Sequence, residues 1–341
     1  MTWGPVTICG TTLKPGERAT VDVPATALST HTEVTMPVHV VHGRRPGPRL
    51  FVCAALHGDE INGVEIIRRL MRQSALRRLS GTLIAVPVVN VLGFVSLSRY
   101  LPDRRDLNRS FPGSTSGSLA ARLANLFLTE VVSGSTHGID LHTGAIHRTN
   151  YPQIRANLGN ADAERLATAF GAPIVINAGL REGSLRAAAR ESGIPVLVYE
   201  AGEALRFEEV SIRAGLRGVL RVMRALEMLP RPKERQERVP PIIIRSSGWA
   251  RAPSSGVLRL VTHNGALVKA GDRLGLINDP YGETEIEIVA RADGIVIGHT
   301  TLPVVNEGDA LFHIGRTEGT EAAADAMDAL DAFESEVGNG E

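Results

Sequence analysis

Three short motifs place metal-binding and proton-transferring side chains where apolar strands give way to turns. The first is Leu56-His57-Gly58-Asp59-Glu60. At a strand-to-helix junction, a His and a Glu three residues apart bring an imidazole nitrogen and a carboxylate oxygen to one point, the pair that zinc accepts at about 2.0–2.2 Å. Gly58 is expected to let the backbone turn tightly between them. Alone the spacing is common, and acidic residues on a helix N-terminus explain it equally well.

A third donor comes from Gly138-Ile-Asp140-Leu-His142-Thr-Gly144, another apolar strand that ends in a histidine. Side chains alternate along a strand, so Asp140 and His142 share a face and the carboxylate can orient the imidazole. Two His and one Glu form the catalytic zinc pattern, with three protein ligands and a fourth position left for water; a structural site wants four ligands. Hard all-oxygen cages for calcium or magnesium do not choose imidazoles, which leaves zinc as the leading metal, one ion per chain.

A water attacking a carbonyl needs a carboxylate to take its proton, and Val196-Leu-Val-Tyr-Glu200-Ala-Gly202 ends a strand with one. Glu200 is the expected general base. Glu203, just past the Ala-Gly turn, is its rival, and a solvated acid opening a loop is the plain alternative for either. The last element is Asp106-Leu-Asn108-Arg109-Ser-Phe-Pro-Gly113, preceded by Ser98-Arg99-Tyr100. Arg grips carboxylates through paired hydrogen bonds, although such a loop is more often solvated surface. The polar run His147-Arg148-Thr-Asn150-Tyr-Pro152 receives no assignment, because loop polarity explains it equally well.

Taken together and in this order, His57-Gly-Asp-Glu60, Asp106-Leu-Asn-Arg109, Asp140-Leu-His142-Thr and Glu200-Ala-Gly202 resemble the succinylglutamate desuccinylase/aspartoacylase family, a branch of the zinc carboxypeptidase-like fold. The resemblance covers roughly residues 35–230. It implies zinc held by His57, Glu60 and His142, with Glu200 promoting attack of water on an amide carbonyl. It also implies that Asn108 and Arg109 hold a substrate carboxylate and that Arg99 stabilises the oxyanion. The interval from Arg99 to Asp106 looks longer than in aspartoacylase itself and is more like the bacterial deacylase relatives.

The elements that must position these residues are legible as an alternation. Val34–His42, Arg49–Leu56, Thr82–Val89, Gly138–Leu141, Ile174–Asn177 and Pro195–Glu200 read as strands. Glu60–Leu79, Leu119–Val132, Ala161–Phe170 and Val210–Leu229 read as helices. The expected fold class is α/β, a mixed, largely parallel sheet flanked by helices over residues 1–230, with ligands at the carboxyl ends of its strands. A charged segment, 231–241, which together with Pro230 holds four prolines, reads as a linker.

Residues 242–316 read as a small all-β module resembling a biotinyl/lipoyl-type sandwich, in which Val268-Lys-Ala-Gly-Asp272 and Val305-Asn-Glu-Gly-Asp309 repeat a turn. The turn around Tyr281 carries no lysine, so a structural cap or pocket-shaping domain is expected rather than a carrier. Residues 317–341 form an acidic tail, open to docking as a helix or to mobility.

Composition narrows the function classes. Basic and acidic residues balance at 37 each, which argues against nucleic acid as the main partner. No apolar run is long enough to cross a membrane, and two cysteines in apolar stretches suggest reduced thiols and a cytoplasmic protein. The expected activity is zinc-dependent hydrolysis of the amide bond of a small N-acyl amino acid or related amide. A metallocarboxypeptidase and a non-catalytic acyl-amino-acid-binding module are the alternatives. A homo-oligomer is compatible with all three.

Overall fold

The long β-branched runs assemble into one large sheet. The structure, a computed structural model, describes residues 3–231, 239–317 and 320–338. Most of the 231–241 segment read as a linker therefore lies outside the described residues. From one edge, the strand order is Arg18–Ala27, Glu33–His42, Ser80–Val86, Arg45–Ala54, His137–Gly144, Val196–Glu203, Arg148–Ala156, Ile174–Asn177 and Ile242–Ile244. The four strands from Ser80–Val86 to Val196–Glu203 are parallel to one another. Arg148–Ala156 runs against them, as does Glu33–His42, so the sheet is mixed.

Helices cover both faces. Asn62–Met71, Ala161–Phe170 and Glu209–Ala225 seal one side over Leu50, Val52, Leu141 and Tyr199. Leu119–Phe127 and Leu185–Glu191 cover the other over Phe51, Cys53 and Val196. The helix expected over Glu60–Leu79 is shorter: it starts at Asn62, ends at Met71 and is followed by a 3-10 turn, Ser74–Arg78. Extended backbone at Gln73 turns the chain so that Leu76 and Leu79 reach the core.

Two strands of the large sheet went unread in the sequence, Arg18–Ala27 and Arg148–Ala156, and each contains a proline. Pro24 sits where the register of an edge strand shifts, and Pro152 sits where Arg148–Ala156 passes from one partner to another. Edges and irregularities are where a strand tolerates the missing N–H.

Ile242–Ile244 pairs with Ile174–Ile176 in the main sheet, and from Ser247 onward the chain folds as two small facing sheets around Leu258, Leu274, Ile288 and Phe312. The repeated turns are equivalent in detail. Lys269 N donates to Asp272 Oδ2 at 2.7 Å and Asn306 N to Asp309 Oδ2 at 2.8 Å. Gly271 and Gly308 both take the left-handed conformation, which glycine adopts without steric cost. Gly294–Thr300 pairs with Arg148–Asn150, so the module is continuous with the main sheet. Tyr281 stands 87% exposed at its turn. In the tail, the helix Thr320–Gly338 buries Leu330 and Phe333 against the main body. None of the described helices is long and apolar enough to cross a membrane.

Within the module, Trp249 stacks on His313 with centroids 4.6 Å apart, and Arg148 from the main sheet lies over the same indole. Burial, with added repulsion from Arg155 and Arg148, holds the His313 imidazole down at about 4 from an ordinary 6.5. Between these values the unfolded chain binds a proton that the folded chain refuses. Stability is therefore full above pH 6.5 and falls as the pH drops toward 4. At pH 5 the loss is about 2 kcal/mol. The fall in melting temperature between neutral pH and pH 5 should be smaller by a few degrees in His313→Gln; equal falls in both proteins would exclude this origin.

Candidate active site

Parallel register brings the motif ends together. Cys53 stands opposite Asp140, Ala54 opposite Leu141, and Glu200 opposite His142. In-register neighbours share a face, which puts Asp140, His142 and Glu200 on one side of the sheet at its carboxyl end.

His57 reaches the same place through a strained turn. Ala55 takes a positive φ of 50°, and Asn90 N donates to its carbonyl at 2.9 Å. Asn90 is fully buried; its Oδ1 accepts from Gly93 N and its Nδ2 donates to the Arg99 carbonyl. One residue, through its backbone N–H and its side chain, thus ties the His57 turn to the Arg99 loop. A Cβ on Gly58 would lie 2.0 Å from the Gly93 carbonyl carbon. The glycine serves close approach of two backbones, and its φ is not left-handed as the tight-turn expectation would suggest.

At the centre lies Glu60, 2% exposed. Its Oε1 is 2.7 Å from His57 Nδ1, its Oε2 is 2.7 Å from His142 Nδ1, and Oε2 also accepts from Thr143 N at 3.1 Å. The donor atoms of His57, Glu60 and His142 all lie within 4.8 Å of one another. The remaining ring nitrogens face carboxylates: His57 Nε2 is 3.1 Å from Asp106 Oδ1, and His142 Nε2 is 2.8 Å from Asp140 Oδ2. Two imidazoles aim one nitrogen at a common point while an outer carboxylate fixes the other, the arrangement a metal-binding histidine uses.

The donor set already draws a cation, because Arg99 Nη1 lies 3.2 Å from both Glu60 Oε1 and His57 Nδ1. These residues fit a divalent zinc ion.

The electrostatics follow from this geometry. Burial opposes ionisation of Glu60, but His57 and His142 outweigh it and hold the carboxyl far below the usual range. Burial likewise opposes charge on the imidazoles. It is overcome at His57 by Glu60 and Asp106, and at His142 by Asp140 and Glu60, so both stand above the ordinary histidine value. Asp106 is also held well down, burial being outweighed by His57 and Arg99.

The other expected residues surround this cluster. Glu200 Oε2 accepts from Asn150 Nδ2 at 3.0 Å and lies 3.1 Å from Arg155 Nε. Glu203 is committed elsewhere: its Oε1 accepts from His147 N and from Thr301 Oγ1 of the module. Asn108 Oδ1 accepts from Leu185 N, tying the loop to the Leu185–Glu191 helix. Arg109 is exposed beside Arg181 and Arg99; burial and these two cations, against Asp106, pull its guanidinium below the ordinary value.

Sequence reasoning missed Asp106, which joins His57 to Arg99, although it opens a motif already singled out. It also missed Asn150 and Arg155, whose strand is masked by Pro152.

The α/β sheet thus carries a His-Glu-His donor set at its strand ends, with a carboxylate beside it. The model of the succinylglutamate desuccinylase/aspartoacylase catalytic domain matches residues 46–226, and the chain belongs to that family. It is 34% identical over 149 residues to the N-alpha-acetyl-L-2,4-diaminobutyric acid deacetylase of Halomonas elongata; the match covers 42% of this chain and 43% of the relative's length.

Among solved structures it resembles a succinylglutamate desuccinylase/aspartoacylase from Rhodobacter sphaeroides (TM-score 0.77, 25% identity, 87% of this chain and 95% of that one). The product-bound ectoine utilization protein EutE (DoeB) from Ruegeria pomeroyi shares the fold (TM-score 0.79, 23% identity, 92% and 98%).

Asp140 tests the outer carboxylates. Asp140→Asn should weaken zinc affinity by about 10–100-fold while the fold is retained, read by metal titration against a chelating dye. Unchanged affinity would show that His142 needs no such partner.

Proposed function

We propose that this chain is a zinc-dependent deacylase that hydrolyses the amide bond of a small N-acyl amino acid or related amide, releasing a carboxylic acid and an amine. The observation that carries this is the convergence of His57, Glu60 and His142 on one point with Glu200 in register beside His142. The relationship to a deacetylase of an N-acetylated amino acid supports the substrate class. His57, Glu60 and His142 would hold the zinc, whose chemistry when bound is Lewis-acid polarisation of the scissile carbonyl and of the attacking water.

The chain's own residues do the rest. Asn150 and Arg155 hold one oxygen of Glu200, which leaves Oε1 to take the proton of the attacking water and return it to the leaving nitrogen as the C–N bond breaks. Arg99, fixed by Asp106, offers its guanidinium to the oxyanion. Arg109 pairs with the substrate carboxylate, and Asn108 braces the loop that presents it. The C-terminal module, a biotinyl/lipoyl-like sandwich with no lysine at its Tyr281 turn, acts as a cap on this cleft. Free Cys9 and Cys53 accord with a cytoplasmic setting.

Glu200→Gln should retain zinc and lower kcat for N-acetyl amino acids by about 100- to 10,000-fold. Retained turnover would reject Glu200 as the base. Faster cleavage of dipeptides than of N-acetyl amino acids with the same side chain would instead make the chain a metallocarboxypeptidase.

A further inference from the structure

A second concavity lies at the opposite end of the sheet from the His57, Glu60 and His142 cluster. It is a groove of about 990 Å3 at the amino ends of Arg45–Ala54 and Ser80–Val86, bounded by chain around Gly16, Gly43, Gln73 and Met228. A strand of this length, at about 3.3 Å per residue, separates it from the active site by roughly 30 Å. Its walls are fastened backbone to backbone. Gly16 N donates to His42 O at 2.8 Å, Gly43 N to Gly81 O at 2.8 Å, and Ser80 N to Met228 O at 2.9 Å. The cavity is therefore preformed.

Six arginines line it: Arg18, Arg44, Arg45, Arg72, Arg77 and Arg78. The acids of the lining are Glu17 and Glu227, and each is engaged elsewhere, with Lys14 N and with Arg231. Among the described residues, none of the six guanidiniums has an ion-pair or hydrogen-bond partner. Some arginines elsewhere in the chain are paired, as in Arg69 with Glu65 and Glu209, and Arg165 with Asp162.

In a chain whose charges balance, this is segregation of positive charge into a concave wall, which focuses the potential there. The guanidinium fork matches paired phosphate oxygens. Beneath the arginines, Leu76, Leu79, Met228 and Leu229 form a buried apolar floor.

We propose that this groove is a second binding site, for a small ligand carrying two or more phosphate groups on an apolar or aromatic body, of the nucleoside polyphosphate class. Several arginines are needed to match several anionic charges, and the floor takes the uncharged part.

The test is calorimetric titration of the full chain with ATP, tripolyphosphate and inorganic phosphate, repeated on the double variants Arg44→Ala/Arg45→Ala and Arg77→Ala/Arg78→Ala. These side chains are exposed, so unchanged melting temperatures will confirm folding. ATP should saturate one site per chain and bind at least about tenfold more weakly to each double variant and at raised ionic strength. Tripolyphosphate should bind less tightly than ATP, and phosphate least.

The proposal is overturned by the absence of saturable ATP binding, or by affinity unchanged in both variants, which would place the ligand elsewhere. Tripolyphosphate binding as tightly as ATP would remove the apolar body from the ligand, and an oligonucleotide displacing ATP with higher affinity would make the groove a nucleic-acid surface.

Discussion

A carboxylate buried between two imidazoles governs this molecule. Glu60 cannot be ionised at 2% exposure without the partners on its two oxygens, and neither imidazole carries charge at that depth without an acid on each nitrogen. The group is mutually dependent: Asp106, His57, Glu60, His142 and Asp140 form one unbroken chain of contacts. Removing one member of such a buried set leaves an uncompensated charge, at about 3–5 kcal/mol, whereas an exposed pair such as Arg231 with Glu227 contributes about 0–1 kcal/mol. The same arrangement, with donors that converge and outer partners already fixed, has the geometry that suits a divalent cation.

The scaffold exists to hold that chain of contacts in register. Parallel strands deliver their side chains to the same end of the sheet, so a histidine ending one strand and a glutamate ending its neighbour meet without any long loop. The His57 turn is different. It needs a positive φ at a non-glycine residue, and Asn90 together with the close fit of Gly58 on Gly93 supplies the surrounding that enforces it.

Much of this was legible in the sequence, because the informative residues sit where periodicity breaks. His57, His142 and Glu200 each end an apolar run next to a glycine or the small residue before one, and strand ends are where such a sheet binds ligands. What stayed hidden depends on register and on irregular backbone. Asp106 reads as the start of a polar loop until a 3-10 turn aims it at His57 and Arg99. Asn150 and Arg155 lie in a strand whose proline hides its period, and only the bulged pairing with Val196–Glu203 shows that they face Glu200. The choice between Glu200 and Glu203 likewise turns on partners distant in the chain, because Glu203 is spoken for by His147 and Thr301.

Those partners also explain why a small β module accompanies the main sheet. Arg148–Ala156 is a shared strand: its first residues pair with Gly294–Thr300 of the module, and its following ones pair with the strand that carries Glu200. Asn150 belongs to both pairings and donates to Glu200 Oε2, while Arg148 at the same end lies over the Trp249 ring that stacks on His313. Thr301 fastens the module to Glu203, three residues beyond Glu200 on the same strand. A displacement of the module therefore moves the backbone that orients this glutamate. The module and the strand that carries Glu200 are one mechanical unit, coupled through Asn150 and Thr301.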